Sequence, residues 1–276
     1  MIRIYSPTEA GRIIDRKLSR IEQGGLTGKA ALARLVRPGN IAASFGSSGL
    51  VGIASVEAPR AVNLVEALGI DMFAISAGEF IYQGEKVSGK GVKLAETELT
   101  NGQFRKLLEL KPEELAEIII NPQERLEESV RVAADPAEAE NCPMVGLSQV
   151  KSEKIAGLLG LRLPTEQEWE RAAAGTNGRK FSFGAEFDES RVTFDDKGTR
   201  SVYAHRDVAT PEGVLDLSGN VWEWTSSNYS HDSGLKVLRG GSWNDAAPVY
   251  LQAANRDLIP PEFQCYSIGV RFAKDL

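Results

Sequence analysis

Few residues in this 276-residue chain are of types that do covalent or metal chemistry. There are two cysteines, Cys142 and Cys265, and two histidines, His205 and His231. Two cysteines are too few for a disulfide framework, and both are expected as free thiols. A transition-metal centre built on imidazole would need both histidines. Each histidine falls in a polar turn with no serine or carboxylate at a telling spacing. Nothing therefore favours a Ser-His-Asp arrangement, although such triads assemble in space. Gly24 to Lys29 imitates a phosphate loop, but its glycines are too close together and Ala30 stands where Ser or Thr is required. The Glu-rich helices offer many carboxylates, but no pair in an apolar setting that would drive two pKa values apart. What remains is chemistry of contact. Between Arg239 and Ala273 the ends read as framework. Gly240-Gly241-Ser242-Trp243 is a tight, aromatic-anchored start, and Ile268, Val270 and Phe272 alternate with Gly269 and Arg271 as in a half-buried strand. The middle mixes acidic, small, aromatic and aliphatic residues with neither a helical nor a strand period.

The elements that must position such a stretch can be read from caps and apolar spacing. Ile13, Ile14, Leu18 and Ile21 fall at helical spacing after Thr8, and Gly24-Gly25 stop that helix. A second short helix runs to Pro38-Gly39, followed by a Gly/Ser-rich segment of strand and turns. From Asp71 the texture changes. Met72 to Lys86 reads as strand, turn and strand, with Gly78 at the turn. Thr100 caps a helix whose apolar stripe is Phe104, Leu107 and Leu108. The Glu-rich stretch that follows is helical, interrupted at Pro122, and reads as a solvated face. Another helix covers Ser148 to Gly160. Pro164, a Thr165 cap and Glu168 at the capping-box position open a further helix, with Trp169, Ala172 and Ala173 inward. After Gly175 helices give way to short aromatic strands and Gly/Asp/Asn/Ser turns; Phe181 to Asp188 reads as core strand and turn. The fold class is α+β, loop-rich in its last hundred residues. The expected division is an accessory region, 1–70, and a main domain, 71–276.

Bulk properties exclude several functions. The net charge is −6, which repels phosphate backbones, so no nucleic-acid binding is expected. No apolar run reaches about 18 residues, so no membrane span is expected. The start lacks a basic region followed by an apolar one, which points to the cytoplasm, with export or surface display left open.

The segments "MFAISAGEF", "ELTNGQF", "CPMVGLSQV", "LRLPTEQEWERAAAG", "GVLDLSGNVWEWT", "VLRGGSW", "AANR" and "IGVRFA", in this order, resemble the formylglycine-generating-enzyme, or sulfatase-modifying-factor, domain. The resemblance runs from near Asp71 to the end and implies a variant of the C-type lectin fold. The family's enzyme uses a cysteine pair between Gly-Gly-Ser and the later Ala-Ala-Arg-like segment. That interval here has no cysteine, and Cys265 lies beyond Arg256, so that activity is expected to be absent and no catalytic residue is assigned. A related branch holds iron with histidines that this chain lacks. The resemblance also implies a structural calcium at Asp216, Gly219, Val221 and Glu223, oxygen donors on a glycine-bent loop. No cofactor is otherwise required. Without the resemblance, Asp216 would cap a turn, Glu223 would make a salt bridge, and Trp222 and Trp224 would be core.

The stretch from about 240 to 273 resembles the variable region of diversity-generating-retroelement variable proteins of this fold type. There a framework holds positions rewritten by adenine-directed mutagenesis, which yields many residue types but not Trp, Lys, Glu, Gln or Met. The pattern marks Asp245, Ala246, Ala247, Tyr250, Asp257, Leu258, Ile259, Pro260, Phe263, Cys265, Tyr266 and Ser267. Gln252, Glu262 and Gln264 fall at framework slots. On this reading Trp243, Leu251, Ala254, Ile268, Val270 and Phe272 point inward and the marked residues outward, as a paratope for a protein or other macromolecular ligand. Composition alone reads the marked residues as loop with a few buried aromatics. Two other functions stay open: an oxidase of the sulfatase-modifying class, and an inactive, purely structural member.

Overall fold

In a computed structural model of the protein, residues 42–46, 49–54, 62–230 and 234–276 are described. The expected helices before Pro38, the Gly24–Lys29 stretch and His231 lie outside the described residues. The chain divides into two units, Met1–Val62 and Asn63–Leu276. In the first, strands β1 (Ala42–Gly46) and β2 (Gly49–Ala54) pair antiparallel with a register shift between Ser44 and Phe45.

The second unit opens with a short helix, α1 (Leu64–Ala67), whose Asn63 caps it and whose Leu64 is buried. Strand β3 (Met72–Ile75) does not fold back onto the next strand, as the sequence pattern suggested. It pairs with β6 (Val92–Ala95), which also pairs with β11 (Ala273–Asp275) at the C-terminus. The hairpin lies one element later, between β4 (Gly78–Tyr82) and β5 (Glu85–Gly89). Its turn is Gln83-Gly84, with φ of 50° and 85°. Two successive positive φ values match the right-handed twist of the flanking strands. Gly78 starts β4 instead of making the turn.

The capped helices form as read. Helix α2 (Asn101–Leu110) has a complete capping box between Thr100 and Gln103. Proline opens both α3 (Pro112–Ile118) and α4 (Pro122–Val130), because a missing N–H costs nothing in a first turn. Ser148 caps α5 (Gln149–Leu158). Thr165 and Glu168 make a second capping box on α6 (Glu166–Ala174), with Trp169, Ala172 and Ala173 buried. Beyond Gly175 the described helical turns are short 3-10 segments such as Pro248–Leu251.

A four-stranded sheet completes the unit. Its order is β10 (Ile268–Gly269), β7 (Trp222–Asn228), β8 (Lys236–Arg239), β9 (Asp257–Ile259), with β10 parallel to β7 and the others antiparallel. Trp222, Trp224, Leu238, Ile268, Val270 and Phe272 join Phe104, Leu107 and Leu147 in one core. A second cluster packs Trp169, Ala172 and Ala173 against Leu94, Leu217 and Ala273. Among the described residues no helix is long and apolar enough to cross a membrane.

Candidate binding face

The stretch after β8 starts from two residues that tolerate no side chain. Gly240 and Gly241 have φ of 101° and 75°. A Cβ on Gly241 would come within 2.9 Å of the Tyr250 carbonyl oxygen, which is backbone and cannot give way. A closed turn follows. Ser242 donates from its N–H and its hydroxyl to Asp245 Oδ2, at 2.7 and 2.9 Å. Asp245 therefore holds its own loop, and its free surface is partial. Trp243 is half-buried, not inward-facing as expected, and its indole N–H donates to the Tyr266 carbonyl at 3.3 Å. That bond ties the first half of the stretch to the second.

The 3-10 turn Pro248–Leu251 aims Leu251 into an aromatic cluster with Phe181, and turns Val249 and Tyr250 outward. Ala253 is buried and Ala254 exposed, the reverse of the expected inward Ala254. Strand β9 is held at the sheet edge by β8, with Leu258 opposite Val237 and Ile259 opposite Lys236. Ile259 and Cys265 lean on the main core while remaining half-buried. Cys265 Sγ and Ser267 Oγ are 3.2 Å apart.

None of the positions marked by the sequence pattern is buried. Ala246, Asp257 and Pro260 are exposed, and the three aromatics are open to solvent: Tyr250 by 44%, Phe263 by 46% and Tyr266 by 41%. Asp245, Ala247, Leu258, Ile259, Cys265 and Ser267 are half-buried. Leu251, Ile268, Val270 and Phe272 are buried, as the framework reading requires. Three hollows of the surface, against residues such as Arg162, Arg171 and Gln103, are lined by none of the marked positions. The marked residues lie on an open surface.

Two buried arginines bracket the stretch. Arg239 ends β8 and is fully buried; it pairs with Glu170 and donates to the Ala253 carbonyl at 2.7 Å. Its guanidinium stacks over Trp169, 5.4 Å from the ring centre. Glu170 also accepts from Gln83, from its N–H at 2.8 Å and its side chain at 2.7 Å, and the same Gln83 amide donates to the Ala254 carbonyl at 2.8 Å. Glu166 takes Arg256 at 2.8 Å. Beside Glu166, the Tyr82 hydroxyl has its pKa pushed up to about 12, first by burial and then by its hydrogen bond to that carboxylate.

At the far end Arg271 is also fully buried, so Gly269 and Arg271 do not form the outward side of a strand as expected. Arg271 donates to both oxygens of Glu223, at 2.8 to 3.1 Å, and to the carbonyls of Leu215, Glu96 and Ala95 at 2.8, 2.7 and 3.0 Å. Trp169 Nε1 completes Glu223 at 2.7 Å. The conformation of the Asp216–Asn220 turn is strained: Asp216 and Asn220 have φ of 61° and 56°. Asp216 accepts from Asn220 Nδ2 at 2.7 Å. Its carboxyl pKa is pushed up to about 7, chiefly by burial, with the charge of Glu223 adding to the effect. Glu98 is raised well above the carboxylate range by burial and then by Asp216, and its Oε1 has no hydrogen-bond partner. Three carboxylates thus face one guanidinium. Among the described residues no three His, Cys, Asp or Glu side chains converge as a metal cage. The expected calcium donors supply two carboxylates and two carbonyls, and one of those carboxylates, Glu223, already neutralises Arg271.

Three further chemistry-bearing residues are described. Cys142 is a buried free thiol whose pKa burial pushes up to about 11, and Cys265 is also free. His205 lies 3.3 Å from the Thr193 hydroxyl, and burial holds its pKa below the ordinary value. The ionic network of Gln83, Glu98, Glu166, Glu170 and Arg271 has no signal in local spacing; its members meet only through the tertiary fold.

Residues 64–276 match the model of the sulfatase-modifying factor enzyme 1-like domain. The chain is 32% identical over 201 residues to the serine/threonine-protein kinase Pkn1 of Chlamydia trachomatis, covering 64% of this chain and 32% of that protein. It is 37% identical over 119 residues to inactive C-alpha-formylglycine-generating enzyme 2 of Bos taurus, covering 38% of this chain and 40% of that protein. The chain thus spans about a third of the first of these curated relatives and two fifths of the second. Among solved structures, Treponema denticola variable protein 1 superposes with a TM-score of 0.55 at 19% identity, over 74% of this chain and 95% of that one, a likeness of fold.

Proposed function

The chain belongs to the sulfatase-modifying factor enzyme 1-like family, and from that premise we propose that it is a binding protein without enzymatic activity, whose C-terminal surface is diversified by a retroelement to take varied macromolecular targets. One observation supports the reading. Every marked position between Asp245 and Ser267 reaches the surface, while Leu251, Ala253, Ile268, Val270 and Phe272 are buried and the stretch is anchored at both ends by Arg239 and Arg271. A surface that must accept many side chains needs a backbone whose shape is set by other residues. Here buried ion pairs, carbonyl contacts and glycine turns set it. Exposed Tyr250, Phe263 and Tyr266 supply rigid contact area, as paratope aromatics do. The open surface suits a macromolecule better than a small ligand. The net charge of −6 disfavours nucleic acid as the target.

Thiol chemistry is disfavoured at Cys142. A buried thiol whose pKa is pushed up to about 11 is not a thiolate near neutral pH. The name of the inactive relative agrees with this reading. We also propose a structural calcium ion at Asp216, Gly219, Val221 and Glu223; the buried Asp216 carboxyl on a glycine-bent turn, close to Glu223, supports it as a set of hard oxygen donors.

A library randomised at Tyr250, Phe263 and Tyr266 tests the proposal. Members should melt within about 0.5 kcal/mol of the parent, because the sites are exposed, whereas Leu251→Ala should cost about 2–5 kcal/mol. Selection on a chosen protein should return binders. A library that mostly unfolds, or that returns none, would sink the reading.

A further inference from the structure

The contact face has a rim outside the stretch 240–273, and two cations, Arg125 and Lys151, stand in it. Gly146 marks the place. It has φ of 77° and donates its N–H to the carbonyls of Cys265 and Ile268, each at 3.2 Å. A Cβ on it would lie 3.0 Å from Arg125 Nη1 and 3.3 Å from the Tyr266 ring. The guanidinium from α4 and the exposed phenol ring therefore flank one glycine. Lys151, from α5, reaches the same loop and donates to the Gln264 side-chain oxygen at 3.2 Å. Tyr266 and Phe263 are the exposed aromatics on either side of that glutamine.

The two cations are unevenly paired. Arg125 has Glu128 at 2.7 Å, one turn along its own helix. Among the described residues no carboxylate is within ion-pair distance of Lys151; Glu262, in the same loop, is exposed and unpaired with it. Burial, and then the nearby charge of Arg125, hold the Lys151 pKa below the ordinary lysine value. Two half-buried cations, Arg125 with one carboxylate and Lys151 with none at ion-pair distance, lie beside an aromatic surface. Hydrogen bonds from such cations to a carboxylate are charge-assisted, and arginine presents a fork that matches it.

Resting on the binding reading above, we infer that the protein partner of this face presents an aspartate or glutamate carboxylate to Arg125 and Lys151, with Phe263 and Tyr266 packed around it. Neither cation lies in the stretch 240–273, so this preference stays constant while the rest of the surface is rewritten. The fixed pair gives each variant the same electrostatic starting point, and the swapped residues decide which acidic surface is held.

Random peptides displayed on phage, selected on the full chain, test this. Binders lost on a Phe263→Ala, Tyr266→Ala double variant are the ones at this face. Those peptides should be enriched several-fold in Asp and Glu over the starting library, and should bind about tenfold more weakly to Lys151→Glu. Selection on Lys151→Glu should shift the enrichment towards Lys and Arg. Lys151→Gln, which keeps the reach and removes the charge, should move affinity the same way by less, and serves if the reversal does not fold. Face-directed peptides without acidic enrichment would overturn the carboxylate inference and leave the binding face standing. No face-directed peptides at all would overturn both.

Discussion

Arg271 shows how much of the framework depends on a single side chain. Its guanidinium is wholly buried and meets Glu223, three carbonyls and the edge of Glu98. Taking such a charge out of water is expensive, and the interior returns the cost only when every donor finds an acceptor. Removing it leaves Glu223 with only the Trp169 indole as a side-chain donor and takes one donor from each of the carbonyls of Ala95, Glu96 and Leu215, of which Glu96 keeps the Leu215 N–H. Arg271→Ala should therefore cost about 3–5 kcal/mol, read as a drop in the urea midpoint. Glu223→Gln should cost a substantial part of this, since it leaves the guanidinium as the uncompensated charge. A loss below about 1 kcal/mol for Arg271→Ala would mean that the bracket is not an anchor. The residue was read from its spacing as the outward side of a strand, because a period of two sees only alternation. Its burial follows from partners at 95, 96, 215 and 223, far away in sequence. The aromatics of the face were legible for the opposite reason: nothing local or distant competes for Tyr250, Phe263 and Tyr266, so a framework pattern suffices to place them outside.

At the scale of elements, the caps were the readable part. Thr100 with Gln103 and Thr165 with Glu168 satisfy orphan N–H groups within four residues, so the sequence carries the whole interaction. Strand pairing was not readable in the same way. The apolar run from Met72 looks like half of a hairpin, but its partner β6 lies past an intervening hairpin. That intervening hairpin has a role its sequence did not suggest. Its turn residue Gln83 joins Glu170 of α6 to the Ala254 carbonyl, so the hairpin holds the C-terminal stretch at that point. Gln83→Ala should lower stability by about 1 kcal/mol, the ordinary worth of lost hydrogen bonds. Its sharper signature is local: amides from Ala253 to Arg256 should exchange faster, while those of β7 should not change. Uniform exchange across both segments would show that the hairpin only adds bulk stability. Ala254 was expected inside because it belongs to a framework word. In the fold its neighbour Ala253 takes the inward position, and Ala254 contributes its backbone carbonyl.

For the whole molecule, the cluster of Glu98, Asp216, Glu223 and Arg271 links three segments distant in sequence, and its charge makes stability depend on pH. Asp216 has its folded pKa pushed up to about 7, and Glu98 is raised as well. In an unfolded chain a carboxylate titrates near 4. Below about pH 4 both states keep the proton and the folded protein has the full benefit. As pH rises towards about 7 the unfolded state gives up the proton while the folded state holds it, so stability is lost across that window. The metal-free protein should therefore melt at progressively lower temperature from pH 4 to pH 8. A divalent cation at the Asp216 turn would compete with those protons and bind the ionised form. Calcium added after chelation should thus raise the melting midpoint at pH 8 and do little at pH 5, and Asp216→Asn should abolish the calcium effect and reduce the pH slope, the part due to buried Glu98 remaining. If the slope is present and calcium leaves the midpoint unchanged at pH 8, protons and Arg271 alone neutralise the cluster, and the structural-ion reading falls. If the slope itself is absent, the three carboxylates do not share one buried field, and the packing of the bracket around Arg271 would have to be revised with it.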